Sequence, residues 1–118
     1  MNSITVIAIS TVILLHVLFM VLEMFLWDTP VGHRTFGLSP EYAKKSAPLA
    51  ANQGLYNGFL AAGLLWGLVS TGGLDTLVFF LGCIIIAGIY GAITVKSSIL
   101  WLQALPAAIA MSLLFFNP

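Results

Sequence analysis

Four long apolar segments dominate this chain and restrict the folds that it can adopt. They run from about residue 4 to 27, 48 to 69, 74 to 95 and 99 to 116. A helix that crosses a bilayer needs about 20 apolar residues. Only 7% of the residues are charged, whereas soluble domains carry roughly 25%. We therefore predict an all-α fold, an integral membrane four-helix bundle in a single domain over residues 1–118.

The basic residues predict how these helices cross the membrane. Arg34, Lys44 and Lys45 lie between the first two segments, and Lys96 lies between the last two. Because basic residues accumulate in cytoplasmic loops, we expect both connections in the cytoplasm and both termini on the same, outer side. The first segment follows Met-Asn-Ser without a basic residue, so we expect a retained helix rather than a cleaved signal peptide.

Polar side chains within the apolar segments fall at one predicted depth, in the cytoplasmic half of the membrane. They come from all four segments and comprise Glu23, Asn52, Gln53, Tyr56, Asn57, Tyr90 and Gln103. A polar group in hydrocarbon is costly unless it is hydrogen-bonded. We therefore expect these residues either to join helices to one another or to bind a polar ligand.

Helical phase gives the second segment two unlike faces. At 100° per residue the polar residues within 52–57 occupy one arc of about 140°, and Gly54 and Gly58 lie on the opposite side. Small residues four positions apart favour close packing of membrane helices. The third segment has a similar edge of small residues, so we expect a homo-oligomer, with a trimer favoured.

Glu23 is the residue of this set that is hardest to explain as structure alone. An acidic residue inside a spanning helix usually marks a function or a buried pair. The alternatives are pairing with Lys96 or the amides, a ligand or proton role, and exposure at the interface. His16 falls on the same stripe of the helix, but no further residues complete a metal site. We expect no metal and no other cofactor.

Other functional classes have less support in the sequence. Four basic and four acidic residues balance each other and form no basic face for nucleic acid. The lone cysteine, Cys83, is predicted to be a small core residue rather than a reactive thiol. No nucleophile with an oriented base is recognisable, so whether the protein is an enzyme is left open.

Several stretches of the sequence resemble those of one family. The stretches are HVLFMVLEMFLW, ANQGLYNGFLAAGLLWG, AGIYGA and QALPA, and they are similar to the domain-of-unknown-function family thirteen-oh-four. The resemblance extends over nearly the whole chain. It implies a small four-helix protein of the bacterial cytoplasmic membrane, without implying an activity.

The second segment also resembles the MAPEG superfamily, the membrane-associated proteins of eicosanoid and glutathione metabolism. Lys44 and Lys45 precede Asn52 and an amide-rich turn, although Leu55 stands where the superfamily has an acidic residue. This resemblance implies a trimer of four-helix protomers with outer termini. It also implies a ligand site between protomers in the cytoplasmic half of the membrane.

Three functions fit these patterns. We favour a protein that binds a lipid-like or small amphiphilic molecule, with the polar head on the amides and the apolar tail along the helices, in contact with membrane lipid. The first alternative is a small four-helix transporter of the multidrug-resistance type, which the position of Glu23 near a helix end disfavours. The second is a purely structural membrane protein in which the amides only join helices.

Overall fold

The computed structural model describes residues 1–118, and its regular structure is entirely helical. The helices are α1 (Ser3–Phe25), α2 (Pro30–Phe36), α3 (Pro40–Val69), α4 (Leu74–Thr94) and α5 (Leu105–Phe116), and a π-helical segment, Leu100–Ala104, directly precedes α5. By length and composition α1 and α4 are apolar enough to cross a membrane, and Leu100–Phe116 is a shorter apolar helix. The predicted all-α class is confirmed.

The second long helix begins at Pro40, so the prediction that it begins at Pro48 is wrong. Ser39 caps this helix, because its Oγ accepts a hydrogen bond from the backbone N–H of Tyr42 at 3.2 Å. Pro40 takes the first helical position, where no N–H donor is needed, and Glu41 places a negative charge in the first turn. Pro48 lies inside the helix and removes one of its backbone hydrogen bonds.

The connection between α1 and α3 contains a short helix, α2, so the chain has five α-helices where four were expected. The Oγ1 of Thr29 accepts a hydrogen bond from the N–H of Gly32 at 3.4 Å. Pro30 opens the helix, and Gly37, with a φ of 64°, ends it. These are recognised boundary signals, but a helix of seven residues is too short to show an apolar period.

The chain divides into two compact units, which are described separately below. Unit 1 comprises Met1–Leu15 and Leu60–Pro118, and unit 2 comprises His16–Phe59. The single domain expected from the sequence stays a prediction.

Unit 1 has an apolar core to which α1, α3, α4 and α5 all contribute. Its buried members are Ile9, Val12, Leu64, Leu77, Leu81, Ile84, Ala107, Ala110 and Leu114. On α4 the buried positions recur every three or four residues, which is the spacing of one helix face. On α5 the buried positions include two alanines, and small residues allow helices to approach closely.

Unit 1 also holds the first turn of α1 against the last turn of α5. The N–H of Asn2 donates to the carbonyl oxygen of Pro118 at 2.9 Å. The buried hydroxyl of Thr5 donates to the carbonyl oxygen of Asn117 at 2.6 Å. Asn2 in addition caps α1, since its Oδ1 accepts a hydrogen bond from the N–H of Ile4 at 2.8 Å. The first turn of α1 and the last turn of α5 are therefore fixed to one another.

Gly88 sets the distance between α4 and the π-helical segment. A Cβ atom at this buried position would lie 2.6 Å from the backbone nitrogen of Ala104 and 2.8 Å from its Cβ. Both distances are too short for atoms that are not bonded to each other. A residue with a side chain would therefore force the two helices apart.

Candidate functional site

A single polar pair joins α1 to α3 within unit 2. The side-chain amide of Asn57 donates a hydrogen bond to Oε1 of Glu23 at 2.5 Å. Asn57 is only 3% exposed, and Glu23 is half-buried. Burying either polar group without a hydrogen bond would cost free energy, and this bond gives each of them a partner. Of the alternatives for Glu23, the structure shows the pairing with an amide, that of Asn57.

Two glycines of α3 let α1 approach closely beside this pair. A Cβ atom on Gly54 would lie 2.7 Å from Cγ of Met24 and 3.0 Å from Cβ of Glu23, and one on Gly58 would lie 2.7 Å from Sδ of Met20. The predicted Gly-x-x-x-Gly packing face is confirmed, and it is occupied by α1 of the same chain. Close packing around the Glu23–Asn57 pair therefore fixes the orientation of this part of α3.

A second contact in unit 2 involves the first turns of α3. Nε1 of Trp27 donates to Oγ of Ser46 at 2.9 Å, and that hydroxyl donates to the backbone carbonyl of Tyr42 at 2.7 Å. The indole ring also packs against Phe36 of α2, with 4.8 Å between ring centroids. Trp27 thus ties α2 and the start of α3 to the residues that follow α1.

Asn52 and Gln53 lie on the outside of unit 2, with exposed side chains. No hydrogen bond joins either side chain to the rest of the chain. Tyr56 is 54% exposed, and its ring meets Phe59 edge to face at 5.9 Å. The predicted polar arc of α3 therefore has two parts: Asn57 faces α1, and the other three residues face outward.

Tyr90 and Gln103, the remaining predicted site residues, belong to unit 1. Tyr90 is 69% exposed on α4, and Gln103 is half-buried in the π-helical segment. In that segment the N–H of Leu105 bonds to the carbonyl of Leu100, five residues earlier. Pro106 follows and has no N–H with which to continue an α-helical pattern. That Tyr90 and Gln103 share a site with the amides stays a prediction.

Comparison with known proteins places the chain in a family. The family model described as "Protein of unknown function (DUF1304)" matches residues 10–115. The chain belongs to this family. It is also 30% identical, over 119 residues, to the "Uncharacterized protein YpaA" of Lactococcus lactis subsp. lactis (strain IL1403), with 98% of this chain and 100% of that protein covered. Membership of the DUF1304 family, which the sequence stretches predict, is confirmed.

The other resemblance lacks such support. The comparisons do not show a relation between this DUF1304 member and the MAPEG superfamily, and no solved structure matches the chain. The trimer and the site between protomers that the MAPEG resemblance implies therefore stay predictions.

The outward face of α3 offers hydrogen-bonding groups. Asn52 and Gln53 each carry an amide that can donate and accept, and Tyr56 adds a hydroxyl. No group of three His, Cys, Asp or Glu residues is placed to hold a metal ion. Chemically, this face can bind a polar group that itself donates or accepts hydrogen bonds.

One basic residue, Lys45, lies on this face and is not among the site residues predicted from the sequence. Lys45 is exposed and lies seven positions before Asn52, two helical turns along the same side of α3. A helix that begins at Pro48 excludes Lys45, so the sequence prediction does not place Lys45 on the same helix face as Asn52. The helix-start signal at Ser39, Pro40 and Glu41 reveals this placement, because it extends α3 toward the N-terminus.

Proposed function

We propose that this chain is a multi-pass integral membrane protein whose long helices form a four-helix bundle. In this proposal Asn52 and Gln53 bind the polar head of a lipid-like or small amphiphilic molecule. The observation that carries the proposal is that both amides are exposed and neither is hydrogen-bonded within the chain. In or beside hydrocarbon such amides need a partner, and a ligand head group supplies one.

The exposed surface of unit 1 supports a membrane environment. Large apolar side chains with more than half of their surface exposed include Leu14, Phe79, Ile86 and Ile93, and Ile93 reaches 80%. Phe79, Ile86 and Ile93 recur every seven residues and so share one side of α4; a soluble protein rarely exposes a contiguous apolar surface, whereas lipid tails solvate it. With the apolar lengths of α1 and α4, this surface favours a chain that crosses the bilayer several times.

Glu23 and Asn57 are positioning residues in this proposal. Their hydrogen bond and the close packing at Gly54 hold α3 against α1, so that Asn52 and Gln53 face away from the contact. Tyr56 lies beside them and adds a hydroxyl and an aromatic face. The ligand therefore contacts the outward face of α3, while the inward face keeps that helix in place.

The proposal includes a homo-oligomer, with a trimer favoured. Gly54, Gly58 and Gly88 all have neighbours within the chain, so these small residues are already used and give little support for contacts between copies. The support comes from the large apolar side chains that unit 1 leaves exposed, since a second copy of the chain can cover them as lipid tails do. Native mass spectra recorded to detect bound ligand will report the number of chains as well.

We expect Arg34, Lys44, Lys45 and Lys96 on the cytoplasmic side of the membrane. The test uses Ser3→Cys and Leu38→Cys, each combined with Cys83→Ala, and an impermeant thiol reagent on intact cells. We expect Ser3→Cys to be labelled at once and Leu38→Cys to be labelled only after permeabilisation. The opposite pattern would reverse the predicted orientation.

Replacing both outward amides, with Asn52→Leu and Gln53→Leu, should remove the bound amphiphile and leave the fold intact. Two hydrogen bonds of about 1 kcal/mol each correspond to a loss of affinity of roughly thirty-fold. Native mass spectrometry from a mild detergent measures the bound fraction, and thermal unfolding measures stability.

Ser112→Leu is the matched control, since it replaces an exposed polar residue on α5. We expect this variant to retain the ligand and the stability of the wild type. If the double variant unfolds at the wild-type temperature and still carries its amphiphile, the proposed function is wrong. If it instead falls apart into single chains, the amides join copies of the protein.

A further inference from the structure

We infer that the amphiphile is an anionic phospholipid, whose phosphate binds at Lys45 and whose acyl chains follow α3 past Tyr56 and Phe59. This inference rests on the proposed function and adds the chemical class of the ligand. It follows from a row of exposed residues on α3, from the order of their chemistry along the helix, and from the charges at its polar end.

The row lies entirely within unit 2. Its members alternate at steps of three and four residues, the spacing of one helix face, and all are exposed: Tyr42, Lys45, Leu49, Asn52, Tyr56 and Phe59. We call this surface the α3 row. Because Asn57 and Gly54 on the other side of the helix are buried, the α3 row is the side of α3 that is open to a ligand.

From Lys45 onward, the cation, the amide and the aromatic pair of the α3 row follow one another in the order of the parts of a phospholipid, with Leu49 between the cation and the amide. Lys45 supplies a cation near the start of the helix, and Asn52 supplies an amide about 10 Å further along, at 1.5 Å per residue. Tyr56 and Phe59 follow as an aromatic pair. A phospholipid likewise presents a charged phosphate, then ester and glycerol oxygens, then hydrocarbon. The row can therefore hold all three parts along its length.

The charges at the polar end favour an anionic head group over a zwitterionic one. Lys45 forms no salt bridge within the chain, in which the only ion pair joins His33 and Asp28. Lys44 lies beside Lys45 and is exposed, and Glu41, one turn earlier, offsets one of these two positive charges. A basic residue near an anionic membrane surface contributes about 1 kcal/mol of attraction. The remaining positive charge thus selects a head group with a net negative charge.

A second copy of the chain fits this surface less well. If two α3 rows packed side by side in parallel, Lys45 of one copy would face Lys45 of the other. A lysine at the centre of a helix contact costs stability. A phosphate at the same position neutralises the lysine, so the charge of the row favours lipid over protein.

The test is a lipid titration of the full-length protein in detergent, followed by native mass spectrometry. Phosphatidylglycerol and phosphatidylcholine with identical acyl chains serve as the anionic and zwitterionic probes. We expect the wild type to prefer phosphatidylglycerol. Lys45→Gln should weaken phosphatidylglycerol binding about five-fold, the equivalent of about 1 kcal/mol, and weaken phosphatidylcholine binding less, because the choline cation already neutralises the phosphate that both lipids carry.

Two further variants separate this inference from the proposed function. Asn52→Leu should weaken both lipids alike, because the amide contacts a part that they share, and Lys96→Gln, the control for charge, should change neither. If Lys45→Gln leaves the preference between the lipids unchanged while Asn52→Leu weakens both, the anionic class is wrong and the proposed function stands. If Asn52→Leu changes neither lipid, the proposed function fails as well. If Lys45→Gln instead strengthens association between chains, a second copy occupies the α3 row.

Discussion

Replacing Asn57 with leucine is expected to destabilise the folded chain by about 2–3 kcal/mol. The amide of Asn57 is buried and donates to the carboxyl group of Glu23. A typical hydrogen bond contributes about 0.5–1.5 kcal/mol, and a buried group that loses its partner adds a desolvation penalty of about 1–3 kcal/mol. Unfolding in detergent, followed by tryptophan fluorescence, measures the effect as a lower transition temperature.

Two variants of Glu23 distinguish the lost hydrogen bond from changes in packing. Glu23→Gln keeps an oxygen acceptor for Asn57 and should cost little. Glu23→Leu combined with Asn57→Leu replaces both polar partners by apolar groups, which can be nearly neutral, so this double variant should be more stable than Asn57→Leu alone. Wild-type stability of Asn57→Leu would mean that the pair does not hold α1 and α3 together.

Gly88→Ala is expected to destabilise unit 1 by about 1 kcal/mol, although alanine is the better helix former. Its Cβ would lie 2.6 Å from the backbone nitrogen of Ala104, and backbone cannot move aside as a flexible side chain does. Overpacking a core typically costs about 1–3 kcal/mol, which exceeds the roughly 0.8–1 kcal/mol gained from helix propensity. The same unfolding measurement reports the change.

Gly82→Ala is the matched control on the same helix. A Cβ atom there meets only Cε of Met111, at 4.0 Å, so the gain in helix propensity remains and the variant should be stabilised by about 0.5–1 kcal/mol. The two substitutions are chemically identical and are expected to shift stability in opposite directions. A shift in the same direction would show that the approach of α4 to Ala104 is not a tight one.

Apolar length and helical phase predict much of this fold. The predicted third segment, 74–95, agrees with α4, Leu74–Thr94, because a continuous apolar run leaves little choice of structure. The positions of Glu23 and the amides along their helices predict that they lie at the same depth, and Glu23 indeed contacts Asn57. Phase also places the polar residues of α3 in one arc. It does not reveal which edge of that arc meets α1, because that depends on packing between helices.

The remaining differences arise around prolines. Pro48 invites the prediction of a helix start, yet the cap at Ser39 begins the helix earlier. Pro106 lies in an apolar run that predicts an ordinary helix, and a π-helical segment precedes it. A proline loses one backbone donor in any setting, and whether the helix stops, continues or widens there depends on the surrounding packing. Sequence periodicity contains no information on that packing.

Pro48, inside α3, is a position at which that helix can bend, and a hydrogen bond from Trp27 holds the turns that precede it. Pro48 removes one backbone hydrogen bond between the first turns of α3 and the rest, and helices bend most readily at such a position. Lys45 lies on one side of this hinge and Asn52 on the other, while the bond from Trp27 to Ser46 fastens the first turns in place. If the hydrogen bond between Trp27 and Ser46 were broken, the first turns of α3, with Lys45, could move relative to Asn52. If the proposed lipid binds at Lys45 and Asn52, the hydrogen bond from Trp27 to Ser46 sets the distance between the two groups that contact its head.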